Sequence, residues 1–219
     1  MIDFDHLVLW LSPRKVMGSY WPDLSKYTNN GRIYGAKLRE GTVYFNGINN
    51  YIDIPNDILP SPQAFTIATW IYPLGENSDA SYDEQIIVDL RGQYKIFLSW
   101  KESDDANHPA CLRGYIYGGE EYNLYSPDNS LPPGLWHFVG MSWDGTTQRI
   151  CYNGNFLSQP ANDPASITGY ESLIGKDYQL DWDRLWFFGF IGELFIFSVG
   201  FDEERFRILY NLTFPFGTA

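Results

Sequence analysis

Apolar and polar residues alternate along this chain in short runs with a period of two, the spacing of a strand that buries one face. The clearest run is AFTIATWIYP, where Phe65, Ile67, Thr69 and Ile71 share one face and Thr66, Ala68, Trp70 and Tyr72 the other. One of these faces is expected to enter a core. Similar runs recur at His6 to Leu11, Thr42 to Phe45, Tyr51 to Ile54, Gln85 to Leu90, Tyr94 to Trp100, Cys111 to Tyr117, Trp136 to Trp143, Gln148 to Tyr152, Ser172 to Ile174 and Phe187 to Phe197. Turn residues separate them, and regular short strands of this kind predict a sandwich or barrel. Asp144-Gly145 and Asn153-Gly154 supply tight turns at either end of one strand. Only FDEERFRILYN reads as a helix, over residues 202 to 210. Asp202 serves as N-cap, and Phe206, Leu209 and Tyr210 fall at helical spacing. No Pro- or Ser-rich linker divides the chain, so residues 1 to 219 are read as a single all-β domain.

Composition sharpens this picture. Aromatic residues make up 18% of the chain, and they favour pleated, half-buried surfaces. The net charge of -12, with no Lys/Arg cluster, excludes nucleic acid as a partner, because a phosphate backbone would be repelled. Cys111 and Cys151 form no CxxC or Cys/His pattern, so structural zinc is not expected. They are either one disulfide, if their strands adjoin, or two buried small apolar side chains. The start, MIDFDHLVLWLSPRK, places acids before a short apolar run, unlike a secretory signal. No segment reaches the roughly 18 apolar residues of a membrane helix. The expectation is a soluble protein with no membrane insertion, cytoplasmic or particle-associated unless exported by another route.

Five segments, in this order, resemble the laminin-G-like, concanavalin A-type jelly-roll family across nearly the whole chain. WPDLSKYTNNGRIYGA is similar to its early Asp, Ser, Asn, Gly segment. TVYFNGINNYIDIP is similar to its Phe-Asp-Gly and aromatic strand, with Asn46 where Asp is usual. FTIATWIYP matches the apolar strand ending in Trp, and LWHFVGMSWDGTTQRICYNGN the Trp-His strand with its Asp-Gly hairpin. GFIGELFIFSVGFDEERFRILYN resembles the closing strand and helix, with Gly192 where Asp is usual. The resemblance implies an all-β, two-sheet antiparallel jelly-roll sandwich with one short C-terminal helix, one concave sheet, and binding loops at a rim. The paired cysteines of pentraxins, related in fold, would map to Ala68 and Gly140, which excludes that branch.

Catalysis is not expected. Glycosidases of this fold hold their carboxylates at alternating positions of one strand, and no Glu-x-Asp-x-Glu type run occurs here. The nearest approach is Asp177, Gln179, Asp181 and Asp183, which lacks Glu. His6, His108 and His137 sit in separate segments, with no nucleophile-elbow pattern beside any serine.

Two binding sites are candidates. Calcium is the candidate ion, with Asp23, Asn30 and Glu193 at positions where the resemblance implies metal-binding oxygens. The alternative is an Asx-turn at Asp23 and Asn30, with Glu193 as a structural acceptor. A saccharide site needs an aromatic plane for the apolar face of a pyranose and polar groups for its hydroxyls. The loop after Gly175 offers Tyr178, Trp182 and Trp186 amid Asp177, Asp181 and Asp183. Along ACLRGYIYG, Arg113, Tyr115 and Tyr117 share one strand face, a pattern extended by Glu121, Asn123 and Tyr125. Core packing is the competing reading for each aromatic.

The leading functional reading is a non-catalytic, lectin-like carbohydrate-binding module for a glycan or polysaccharide, with calcium as the candidate cofactor. The alternative is a structural or protein-interaction component, such as a virion or surface protein that docks a protein partner. A polysaccharide hydrolase or lyase ranks third.

Overall fold

The computed structural model describes residues 2–59, 64–77, 83–101, 108–162, 170–178 and 185–213. In chain order its strands are β1 (Leu7–Leu11), β2 (Tyr20–Trp21), β3 (Gly31–Tyr34), β4 (Lys37–Arg39), β5 (Thr42–Asn46), β6 (Tyr51–Ile54), β7 (Phe65–Pro73) and β8 (Asp83–Leu90). They continue as β9 (Tyr94–Lys101), β10 (Cys111–Tyr117), β11 (Glu121–Tyr125), β12 (His137–Trp143), β13 (Thr147–Tyr152), β14 (Asn155–Pro160), β15 (Ser172–Ile174) and β16 (Phe188–Phe197), followed by the helix α1 (Glu203–Leu212). Two antiparallel eight-stranded sheets result. The first runs β14-β13-β12-β7-β16-β5-β4, with β1 added on β16, and the second runs β11-β10-β9-β8-β15-β6-β3-β2.

The central strand β7 shows how the sequence pattern works. Phe65, Ile67 and Ile71 enter the core between the sheets, alongside Phe45, Trp143 and Ile150. The opposite face is buried too. Ala68 and Trp70 pack with Phe138, Phe206 and Leu209 in a separate cluster beneath α1. The amphipathic helix explains this second burial, since its apolar stripe needs a covered surface and the outer face of the first sheet supplies one. Asp202 caps the helix by accepting from the Arg205 amide at 2.9 Å, as expected for that residue type.

Close approach of helix and sheet depends on Gly140 in β12. A Cβ there would stand 2.7 Å from the Phe206 ring and 2.8 Å from the Ile67 carbonyl oxygen, and the second contact is backbone that cannot rotate away. Gly140→Ala is therefore expected to cost about 1–3 kcal/mol, as overpacked sites do, read as a lowered urea midpoint with an unchanged slope. An unaltered midpoint would mean that α1 shifts freely over the sheet.

The β13–β14 turn falls at Asn153-Gly154, as the sequence predicts, and Asn153 also accepts from the Phe138 amide at 3.0 Å. Cys111 on β10 and Cys151 on β13 lie in different sheets, are both buried, and do not form a disulfide. Burial pushes the Cys151 thiol up to about 12. Among the described residues no helix is long and apolar enough to cross a membrane.

Candidate functional site

The outer face of the second sheet carries an open cleft of about 540 Å³. Its floor follows from strand alternation. On β10, Leu112 and Ile116 point into the core between the sheets, which turns Arg113, Tyr115 and Tyr117 outward. Register then sets their neighbours: Arg113 lies between Phe97 and Tyr125, Tyr115 between Lys95 and Asn123, and Tyr117 beside Glu121. One wall comes from the chain on either side of β15. It is tied down by hydrogen bonds from the Gly175 amide to the Ile87 carbonyl at 3.0 Å and from the Ile86 amide to the Leu185 carbonyl at 3.1 Å. Tyr170 and Tyr178 stand on this wall with ring centroids 4.2 Å apart. Gly92 makes room for Tyr178, because a Cβ there would meet the ring at 2.5 Å.

Two buried ion-pair groups hold the floor. Lys95 Nζ donates to Asp177 Oδ2 at 2.7 Å and lies 3.5 Å from Asp89 Oδ2. Arg113 donates to both oxygens of Glu84, at 2.6 and 2.7 Å, and through Nε to Asn123 at 2.9 Å. Asp89 and Glu84 are almost wholly buried. Burial pushes the Asp89 carboxyl up to about 7; Lys95 opposes the rise, and Asp177 adds to it. Burial alone would lower the Lys95 ammonium, but Asp89 and Asp177 outweigh it and raise it above its ordinary value. Burial, followed by the Glu121 charge, raises the Tyr115 hydroxyl, so it stays protonated and donates to Glu121 at 3.4 Å. The same cations sit over aromatic faces: Lys95 lies 4.8 Å from the Tyr178 centroid, and Arg113 lies 4.8 Å from that of Phe97.

Of the residues proposed from sequence, Arg113, Tyr115, Tyr117 and Tyr178 come together in this cleft. Trp186 does not line it. Its ring lies 6.1 Å from Tyr51, with Lys176 Nζ 5.1 Å above it, farther along the same sheet. Asp181, Trp182 and Asp183 lie outside the described residues. Glu84, Lys95, Phe97 and Tyr170 line the cleft without having been singled out. A charged residue within the otherwise apolar run YKIFLSW was the available signal for Lys95. Tyr170 precedes β15 in an unpatterned segment, which offers no signal.

Asp23, Asn30 and Glu193 are placed differently. Asp23 Oδ1 accepts from the Trp10 and Ser25 amides, both at 2.8 Å, and Oδ2 accepts from Ser25 Oγ at 2.6 Å and the Asn29 amide at 2.8 Å. Asn30 Oδ1 accepts from the Asp23 amide at 2.9 Å. A β-bulge in β16 between Ile191 and Leu194 accompanies the placement of Glu193, which accepts from Trp10 Nε1 at 2.7 Å and Ser12 Oγ at 2.8 Å. Each of these oxygens accepts an N–H or O–H hydrogen bond from within the protein, so the set forms a hydrogen-bonded strap onto β1. Among the described residues, no group of three His, Cys, Asp or Glu side chains gathers to hold an ion. Millimolar calcium is expected to leave the melting temperature unchanged, whereas a rise of several degrees would mean that an ion displaces these donors.

Two antiparallel sheets packed face to face, with a polar and aromatic cleft on one outer face, define a lectin-type jelly roll. The sequence profile described as the concanavalin A-like lectin/glucanases superfamily matches residues 45–204, and the chain belongs to that family. Among solved structures, the binding domain of Paraclostridial mosquitocidal protein 1 superposes with a TM-score of 0.73 at 19% identity, covering 97% of this chain and 53% of that one. The binding domain of botulinum neurotoxin DC in complex with rat synaptotagmin II gives 0.68 at 14% identity, covering 95% and 52%. A botulinum neurotoxin type C structure, described as showing cell entry dependent on two ganglioside molecules, gives 0.69 at 14% identity, covering 95% and 51%. This chain thus spans about half the length of each, and at these identities the likeness concerns the fold. Comparison with curated protein sequences gives no match.

Proposed function

We propose that this protein is a non-catalytic carbohydrate-binding module whose saccharide site is the cleft on the outer face of the second sheet. The observation that carries this reading is the cleft itself. Partly exposed tyrosines surround a floor of hydrogen-bonding groups, which is the pairing of ring face and hydroxyl partner that a pyranose needs. Superfamily membership and the likeness to toxin binding domains support it. The non-catalytic part rests on the carboxylates. Glycoside hydrolysis needs one carboxylic acid that gives up its proton and a second, facing carboxylate. Here Glu84 and Asp177 are committed to Arg113 and Lys95 at 2.6 and 2.7 Å, and Asp89 is fully buried.

The test is retention of the intact protein on an immobilised oligosaccharide array, followed by titration of the retained saccharide against Tyr117→Ala. Affinity is expected to fall at least about tenfold with stability unchanged within about 0.5 kcal/mol, as for an exposed position. Undiminished affinity in the variant would place binding elsewhere.

A protein partner is the second reading, and the outer face of the first sheet favours it. Beyond the patch covered by α1, Tyr72, Phe190 and Tyr44 stand in register on three neighbouring strands, with ring centroids 5.9 and 5.3 Å apart. Exposed Leu74 follows β7 beside them.

A further inference from the structure

We infer that the cleft selects uncharged saccharides and turns acidic ones away, an inference that rests on the saccharide reading of this cleft. Its two cations are already committed. Lys95 is held between Asp177 and Asp89, and Arg113 is clamped onto both oxygens of Glu84 with its Nε on Asn123. A sialic acid carboxylate or a sugar sulfate that takes over either cation's bond leaves Glu84, Asp89 or Asp177 buried without its partner. Among the described residues, Glu121 makes no ion pair, and its side chain meets the cleft through the long bond from the Tyr115 hydroxyl at 3.4 Å. It is exposed, so an acidic ligand meets it as an uncompensated like charge, within a protein whose net charge is -12. A neutral sugar meets it as an acceptor for a pair of hydroxyl groups, a charge-assisted hydrogen bond.

The aromatic rings divide in the same way. Tyr178, Tyr115 and Phe97 carry Lys95 or Arg113 over their faces. Among the described residues, Tyr117 and Tyr170, 42% and 47% exposed, take no cation and are the platforms left for a pyranose ring. Stacking partner, hydroxyl acceptor and charge barrier therefore sit on one cleft, and all three point to a neutral glycan.

The experiment is an array that carries each oligosaccharide in neutral, sialylated and sulfated forms, followed by titration of the best neutral saccharide and its acidic counterpart into the intact protein and into Glu121→Gln. Retention is expected on neutral forms, with acidic counterparts at least about tenfold weaker. Glu121→Gln should weaken the neutral ligand several-fold and narrow the gap, with its melting temperature held, because the side chain is exposed. Equal or preferential retention of sialylated or sulfated forms would overturn this selectivity while leaving the saccharide site in place, as would a gap that Glu121→Gln does not narrow. No retention of any form would overturn the saccharide reading itself.

Discussion

Lys95→Met is expected to destabilise the fold by about 3–5 kcal/mol at pH 8, the cost of removing one partner from a buried ion pair. The side chain is 9% exposed and neutralises two carboxylates, Asp89 and Asp177, which are themselves buried. Methionine fills similar volume but leaves both acids facing each other in an apolar surround. The loss should depend on pH with a definite sign. Asp89 titrates at about 7 with Lys95 in place, above its ordinary 3.8, and Lys95 is what restrains that rise. Without the ammonium the value climbs further. A carboxyl whose folded value lies above its unfolded one holds more protons in the folded state, so stability falls as pH rises from about 4 through the folded value. The Lys95→Met penalty should therefore shrink as pH drops from 8 to 5, when Asp89 takes up its proton and one of the two uncompensated charges disappears. Urea titrations of both proteins at pH 5 and pH 8 measure this. A penalty equal at the two values, or one below about 1 kcal/mol at pH 8, would mean that the ion-pair group does not hold the cleft floor.

Trp70→Ala is expected to cost about 3–5 kcal/mol, the range for large aromatic truncations in cores. Trp70 is 1% exposed and packs against Phe138 and Tyr210 at ring separations of 5.4 and 5.5 Å. Its indole N–H donates to Thr213 Oγ at 2.9 Å, where α1 ends. Truncation opens a cavity between sheet and helix and frees the helix end together. Limited proteolysis should accordingly cut the variant near α1 faster than the parent. A variant with parental stability would show that the helix is not held through this contact.

The strands that cross the centres of both sheets were legible because each buries at least one whole face, and a buried face imposes period two on the residues. The strands missed, β2, β3, β4, β11 and β14, are short or lie at sheet edges, where little burial constrains the sequence. The helix was legible from its cap and spacing. What it covers was not, because AFTIATWIYP alternates without stating that both faces are buried. At the site, the Arg113, Tyr115 and Tyr117 face followed from alternation along one strand. Its partners Glu84, Lys95 and Asp177 come from three separate segments, and only strand pairing brings them within 2.7 Å of their counter-ions. Trp186 was grouped with Tyr178 by closeness in sequence. In space the chain carries it away toward Tyr51.

The most direct test of the central claim is a crystal structure of the protein with a saccharide retained on the array. The account predicts the sugar in the cleft of the second sheet, its ring face on Tyr117 or Tyr170 and its hydroxyls on Glu121. A sugar seated on the opposite sheet along Tyr72, Phe190 and Tyr44, with the cleft empty, would contradict it.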